Sequence, residues 1–494
     1  MENLMVKARL FKSLYSVVPS LLILAMVTTA CSAQTDSLGN QPPPPVTVSG
    51  NPPPQNSYAE VVSRVSPAVV TIRSTERARQ AQQFPFFNDP FFRDFFGDRL
   101  PTPQQQPPRQ GLGSGVIVSP DGYMLTNHHV VDGALEIRVE LTDNRVFTAK
   151  LVGSDPQSDL AVLKIDAQDL PVLTLGNSDN VRVGDVVLAV GNPLGIGQTV
   201  TSGIISAKGR WTGISDGSFE DFLQTDAAIN RGNSGGALVN TSGELIGVNS
   251  QILSPSGGNI GIGFAIPSNM ARMVMDQLIK TGRVTRGMIG VNIQSVSADL
   301  AASLNLPAAR GAIVTAIQPG SPAEKAGIKR GDVVLAINDQ PVIDSNNLRN
   351  RVASTAPGTD VNLTVFRDGQ EQRIRVTLGE LPSSDRAAGQ QGSDEGTTDS
   401  SEYGMSVEPL TAERASRLGI AGEQGLLVTR VEPTGPAGQA GIRQGDVIQE
   451  VNRQPVRTVA ELSAAIKRSG TRPALVLVNR GGNPAYLTIR PAQG

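Results

Sequence analysis

Residues 224–240 read QTDAAINRGNSGGALVN, with Ser234 at the centre of Gly-Asn-Ser-Gly-Gly. Acyl transfer at a serine needs backbone N–H groups that converge on a developing oxyanion, and glycines let the chain turn tightly enough to aim them. Gly232 and Ser234 are the expected donors, with Asn233 between them. Such a serine also needs a base. The chain has two histidines and they are adjacent, His128 and His129 in MLTNHHVVD. They follow SGVIVSPDGYMLTN, which reads as two strands joined by a Pro-Asp-Gly turn, so they stand where a rigid scaffold hands over to a loop. The third member of the set is a buried carboxylate that holds the imidazole tautomer. Asp159, in GSDPQSDLAVLKI, precedes an apolar run and is the candidate, whereas Asp155, beside Pro156, reads as a turn residue.

The motifs TN-x-HVV, SDLAVL and GNSGG, in that order and followed by two Gly-Asp-Val modules, resemble the HtrA (Deg) family of bacterial envelope serine proteases. The resemblance implies a mainly β fold, a chymotrypsin-like double β-barrel protease domain followed by two PDZ domains. It selects His129, the histidine directly before Val-Val, as general base, with Asp159 orienting it and Ser234 attacking. The oxyanion hole falls on Gly232, Asn233 and Ser234. No metal or nucleotide motif accompanies these residues, and no cofactor is expected.

Ala228, six residues before Ser234, occupies the position where a trypsin-like enzyme carries an aspartate. Without that charge a Lys or Arg at the cleaved position would be buried unpaired. Ile229 and the aliphatic strand Leu245, Ile246, Gly247, Val248 point instead to a small apolar pocket and to cleavage after Val, Ala or Ile. Such residues lie inside folded proteins, so the expected substrates are unfolded polypeptides. Asn233 cannot make the ion pair with a new N-terminus that an aspartate makes there, so the active-site loops are expected to be ordered by substrate or partner.

The 494 residues leave room for several domains, and 43 basic against 45 acidic side chains give no reason to expect nucleic acid. Residues 1–31 read as an export signal: Lys7, Arg9 and Lys12, then an apolar stretch and small residues before Cys31, the single cysteine. That placement resembles a lipobox and implies a lipid anchor in the cell envelope; the alternative is a soluble export signal. Residues 32–57 are a Pro-rich linker. The protease domain is assigned to 58–284 and includes Phe84–Phe96, whose seven phenylalanines would form an interface patch if exposed and for which the family resemblance implies a regulatory or intersubunit role. It closes on IPSNMARMVMDQLIKTGR, a helix with Ser268 as N-cap, an apolar face of Met270, Met273, Val274, Leu278 and Ile279, and Gly282 as stop.

An internal repeat follows, GAIVTAIQPGSPAEKAGIKRGDVV from Gly311 and GLLVTRVEPTGPAGQAGIRQGDVI from Gly425, an offset of 114 residues. Each copy resembles a PDZ domain, which binds an extended peptide as an added strand and holds its C-terminal carboxylate in a nest of backbone N–H groups. Domain 1 covers 285–381, with Arg286, Gly287, Met288, Ile289, Gly290 and Val291 as carboxylate-binding loop. A flexible linker, 382–402, leads to domain 2 at 403–494, where Tyr403 to Val407 is the looser match. Two functions of different class follow: an ATP-independent endopeptidase of the periplasm or envelope, or a chaperone that holds envelope proteins and hydrolyses little. The resemblance also implies a homotrimer or higher multiples of it.

Overall fold

The computed structural model describes residues 57–76, 109–192, 197–213, 218–230, 232–253, 258–382, 403–420 and 424–490. The expected export signal with Cys31, the Pro-rich linker up to residue 56, the Phe84–Phe96 segment and most of the second linker lie outside them.

The protease domain begins with the helix Ala59–Val65 and then runs through seven strands: β1 Val69–Glu76, β2 Arg109–Ile117, β3 Tyr123–Thr126, β4 Ala134–Glu140, β5 Val146–Thr148, β6 Lys150–Asp155 and β7 Leu160–Lys164. They form one sheet in the order β5-β4-β1-β2-β3-β7-β6. The turn between β2 and β3 is closed by the Gly122 N–H on the Ser119 carbonyl, 3.0 Å away. Next come β8 Val186–Gly191, β9 Thr199–Arg210, β10 Phe222–Thr225, β11 Ala237–Asn240, β12 Leu245–Ile252 and β13 Gly263–Pro267. These close into a barrel, β10-β13-β12-β11-β8-β9, so no strand edge is left open. This is the chymotrypsin-like, mainly β arrangement read from the sequence.

The two β halves share one core, in which Val116, Leu125 and Val162 of the first meet Leu188, Val239 and Val248 of the second. Each fully buried Leu or Val contributes about 1.5–3 kcal/mol, which makes this seam the principal tie between the halves. The cleft between them is therefore held rigidly from beneath.

The helix Ser268–Thr281 lies against the seam with Ala271, Val274 and Leu278 buried, and Gly282 ends it in the left-handed conformation (φ 71°). Two details differ from the sequence reading. Ser268 is the first helical residue, after Pro267 at the cap position, and its hydroxyl donates to the Gly176 carbonyl at 2.9 Å. Ile279 is 37% exposed, because the buried stripe is narrower than the run of apolar residues.

The first PDZ module contains β14 Gly287–Met288, β15 Val291–Ser295, β16 Ala312–Ile317, β17 Val333–Ile337, β18 Gln340–Pro341, β19 Asp360–Arg367, β20 Gln370–Thr377 and β21 Gly379–Glu380, with the helix Ser345–Ser354. The second contains β22 Met405–Pro409, β23 Leu426–Val431, β24 Val447–Val451, β25 Gln454–Pro455, β26 Ala474–Arg480 and β27 Asn483–Ile489, with the helix Val459–Lys467. The sheet orders are equivalent, β15-β16-β17-β19-β20 and β22-β23-β24-β26-β27. An ion pair with a buried carboxylate repeats with them. Asp332 takes two bonds from Arg367, each 2.7 Å, and Asp446 takes two from Arg480, each 2.7 Å. The Gly-Asp of the repeat, legible in the sequence only as a turn, thus carries a core carboxylate. Module 2 packs on module 1 through Leu475, Leu477 and Tyr486 against Leu300, Ile313 and Val333.

Among the described residues no helix is long and apolar enough to cross a membrane.

Candidate active site

His129 stands in the short helix His128–Val131 directly after β3, and Asp159 in the turn from β6 to β7. β3 and β7 are paired, Thr126 opposite Ala161, so the sheet brings the two residues together. The His129 Nδ1 is 2.9 Å from both carboxylate oxygens of Asp159, and the His129 backbone N–H donates to Oδ1 at 3.1 Å. A third donor, the Ser250 hydroxyl, reaches Oδ2 at 2.9 Å. His128 turns its ring elsewhere, with Nε2 3.9 Å from Asp132.

Burial works against charging the His129 imidazole, but the charge of Asp159 and its hydrogen bond more than offset this, so its pKa lies above the ordinary value. Burial likewise pushes Asp159 up, and the charge and hydrogen bonds of His129, with Ser250, pull it down to a net value below the ordinary one. The pair therefore favours imidazolium against carboxylate, the charge state a general base passes through.

Ser234 sits between β10 and β11 and is 5% exposed. Its hydroxyl donates to the Ser250 carbonyl at 3.0 Å and makes no hydrogen bond to His129, so the serine rotamer differs from the one a proton transfer requires. The loop before it depends on glycine. Gly232 has φ 96°, where a side chain is strained, and a Cβ on Gly235 would come within 2.1 Å of the Ser114 carbonyl oxygen. Asn233 was expected in the oxyanion hole, but its N–H closes a turn on the Asn230 carbonyl at 2.9 Å. Among the described residues the N–H groups of Gly232 and Ser234 have no such backbone acceptor.

The strand residues expected to line a substrate pocket are buried in the cores instead. Leu245, Ile246 and Val248 are at most 2% exposed and belong to the cores, because both faces of β12 are covered there. Gly247 lies beside Ala265 in the same interior. β12 meets a cavity further on, at Ser250, Gln251 and Ile252, which His129, Asp159, Phe219, Phe222 and Ile266 also line but Ser234 and Ala228 do not. Ile229 is also buried, packed in the barrel interior, while Ala228 is half-buried and its carbonyl accepts from Thr201 at 2.8 Å.

Arg286 of the expected carboxylate loop points into the protease domain. Its Nη1 is 3.1 Å from Asp155 Oδ1, and its guanidinium lies 4.5 Å from the centre of the Phe219 ring. Asp155, read as a turn residue, is thus also a sealed ion-pair partner, 5% exposed. The rest of the loop serves the module itself: Gly287 and Met288 pair with β21, Ile289 is a core residue, and the Ile289 and Gly290 carbonyls accept from Ala323 and Gln318. Val291 opens β15, an edge strand of its sheet. In module 2 the equivalent carbonyls are Tyr403 and Gly404, bonded by Ala437 and Glu432. Gly404 therefore matches Gly290, in keeping with the 114-residue offset of the repeat, and the start of that loop lies outside the described residues. Sequence reasoning missed Ser250, Phe219 and the Arg286–Asp155 pair, for which the only signals are a serine within the apolar strand LIGVNSQI and an isolated aromatic.

Comparison with known proteins bears on these observations. Residues 113–248 match the trypsin-like peptidase domain, and residues 287–378 and 394–478 each match a PDZ domain. The chain is 44% identical over 449 residues to a probable periplasmic serine endoprotease DegP-like of Chlamydia trachomatis, covering 88% of each. It is 43% identical over 442 residues to the periplasmic pH-dependent serine endoprotease DegQ of Escherichia coli, covering 88% of this chain and 92% of that one. Among solved structures it is similar to the HtrA-type protease AlgW with tripeptide, at 45% identity and a TM-score of 0.54, covering 67% of this chain and 99% of that one.

Proposed function

We propose, from the premise that the chain belongs to the HtrA family of serine endopeptidases and is itself such an enzyme, that His129, Asp159 and Ser234 are its catalytic triad. The observation that carries the reading is the doubly bonded contact of His129 Nδ1 with Asp159, which leaves Nε2 as the one ring nitrogen able to take a proton. After rotation of its hydroxyl, Ser234 attacks the scissile carbonyl while His129 takes its proton. The N–H groups of Gly232 and Ser234 hold the oxyanion. The imidazolium then protonates the leaving amine, and water repeats the sequence on the acyl-enzyme.

An uncharged, half-buried Ala228 six residues before Ser234 supports cleavage after small aliphatic residues, and so a preference for unfolded chains, without ATP. Module 1 is proposed to take C-terminal peptides through the backbone of residues 287–291 and the open edge of β15, without the Arg286 side chain. Location in the periplasm follows the named relatives; acylation of Cys31 and a homotrimer are proposals that mass spectrometry and light scattering test. The chaperone alternative is not favoured, since these relatives are named endoproteases.

The test is degradation of denatured casein by the mature chain and its Ser234→Ala variant, with no ATP or metal added. Cuts after Val, Ala or Ile by the wild type alone are expected. Cleavage surviving in Ser234→Ala would remove Ser234 from the mechanism.

A further inference from the structure

We propose that Ser114 is a positioning residue for the reaction, fixing the oxyanion loop and joining it to the chain at Asn192. The inference rests on the reading of Ser234 as nucleophile.

Ser114 lies in β2 and is fully buried. Its hydroxyl has one proton, which it donates to the Gly232 carbonyl at 2.6 Å, and it accepts the Asn192 N–H at 2.9 Å. Its backbone is engaged on the same loop: the Ser114 N–H donates to the Ser234 carbonyl at 2.8 Å. The Ser114 carbonyl accepts the Thr126 hydroxyl at 2.7 Å, which keeps the strand itself in place. One buried residue thus holds the chain on both sides of Asn233.

The consequence follows from peptide geometry. In a trans peptide the N–H and C=O point in opposite directions. The Gly236 N–H holds the Asn233 carbonyl at 2.9 Å, so the Ser234 N–H on the same plane is turned the other way. One plane earlier, the Gly232 carbonyl is held by Ser114 and the Asn233 N–H by the Asn230 carbonyl. The Gly232 N–H precedes that plane and is separated from it by only the two soft torsions of a glycine. Without the Ser114 hydroxyl one of the two anchors is gone, and the second oxyanion donor loses its fixed direction.

The same hydroxyl reaches outward. Asn192 donates from its side chain to Thr71 Oγ1 at 2.6 Å and accepts the Gly197 N–H at 3.1 Å. A continuous run of hydrogen bonds therefore joins Gly197, Asn192, Ser114 and Gly232. The run ends on the loop that would bear the oxyanion, which gives Ser114 a role separate from that of the imidazole.

The experiment is Ser114→Ala in the full chain, followed by four readouts: kcat, KM, the pH profile of kcat/KM, and the rate at which a fluorophosphonate labels Ser234. In that labelling Ser234 oxygen displaces fluoride at phosphorus, its proton leaves through His129, and negative charge builds on the phosphoryl oxygen in the hole. Loss of one oxyanion donor costs on the order of a hundred- to a thousandfold in kcat, and a donor merely left unaimed should cost about ten- to a hundredfold. Labelling is expected to fall with kcat, while KM and the acid limb of the profile stay in place. Ser114→Cys, with a weaker donor, is expected to fall between. Wild-type kcat and labelling with only a lower Tm would overturn the proposal, as would a shifted acid limb, which would place the effect on His129. Should Ser114→Ala not fold, the cysteine variant decides: an intermediate labelling rate supports the proposal and a wild-type rate sinks it. Labelling absent from the wild type, or persisting in Ser234→Ala, would instead defeat the reading of Ser234 itself.

Discussion

Asp155 and Asp159 stand at the two ends of one turn between β6 and β7, and each faces a cationic side chain and a serine hydroxyl. Asp159 holds His129 and accepts from Ser250. Asp155 holds Arg286 and accepts from Ser158. In the proposed mechanism the imidazole gains and loses a proton during a turnover, whereas a guanidinium stays charged. Exposure follows that difference, with the Asp159 side chain 27% open and the Asp155 side chain 7%. The carboxylate proposed to serve a changing charge lines a cavity. One that ties two domains together is sealed, where each permanent charge offsets the desolvation of the other. Replacing each should therefore damage different properties.

The largest effect belongs to Asp159→Asn. The asparagine fills the same space but stabilises neither the working tautomer nor the imidazolium, and kcat should fall about ten-thousandfold. The acid limb of kcat/KM should also move. In the wild type Asp159 raises His129, so activity is expected to be lost as the pH falls through a value above that of an ordinary imidazole. The stability which the raised pKa brings is present at low pH and lost as the pH rises through it. With asparagine the limb should shift to lower pH, and with Asp155→Ala it should stay. A limb that follows Asp155 and ignores Asp159 would reverse the comparison.

Much of the Asp159 side was legible in the sequence, and little of the Asp155 side was. His129, Asp159 and Ser234 are residue types with few alternative uses in such motifs, and the strands that carry them alternate clearly enough to predict a β scaffold. The GELIGV strand misled because apolar residues on a strand say that a face is covered without saying by what; Leu245 and Val248 cover the seam. Asp155 looked like any Asp-Pro turn, and Arg286 like part of a peptide-binding loop. Their pairing spans 131 residues and two domains, a distance over which local pattern carries no information. The repeat shows the same limit from the other side. Its 114-residue offset was visible, yet the Asp332–Arg367 and Asp446–Arg480 pairs appear only when β17 and β19, or β24 and β26, lie side by side.

Next in size is Asp155→Ala. It leaves the Arg286 charge buried beside Phe219, and breaking such a pair costs about 3–5 kcal/mol. The loss should appear as faster hydrogen exchange at Arg286 and along the helix Ser345–Ser354, where Asn346, Arg349 and Asn350 also bond to residues 218–220. The double change Asp155→Leu with Arg286→Met removes both charges and should recover most of the protection. Failure of the double change to recover it would mean that the tie is specific in geometry and not merely a matter of unpaired charge.

The smallest effect, and the sharpest test, comes from the two serines. Ser250→Ala removes one of three donors to Asp159 and leaves the Ser250 carbonyl, which holds the Ser234 hydroxyl, untouched. A single hydrogen bond to a carboxylate that keeps its other partners contributes about 1 kcal/mol, so kcat/KM should drop roughly fivefold with little change in Tm. Ser158→Ala removes the matching hydroxyl from Asp155, where the Ser158 backbone N–H still donates at 3.1 Å. Its effect should be of similar size but should lower Tm and spare kcat, because Asp155 touches Arg286 and not His129. If Ser158→Ala lowers kcat while Ser250→Ala lowers only Tm, the two ends of the turn have exchanged roles, and the division between a catalytic and a structural aspartate is wrong.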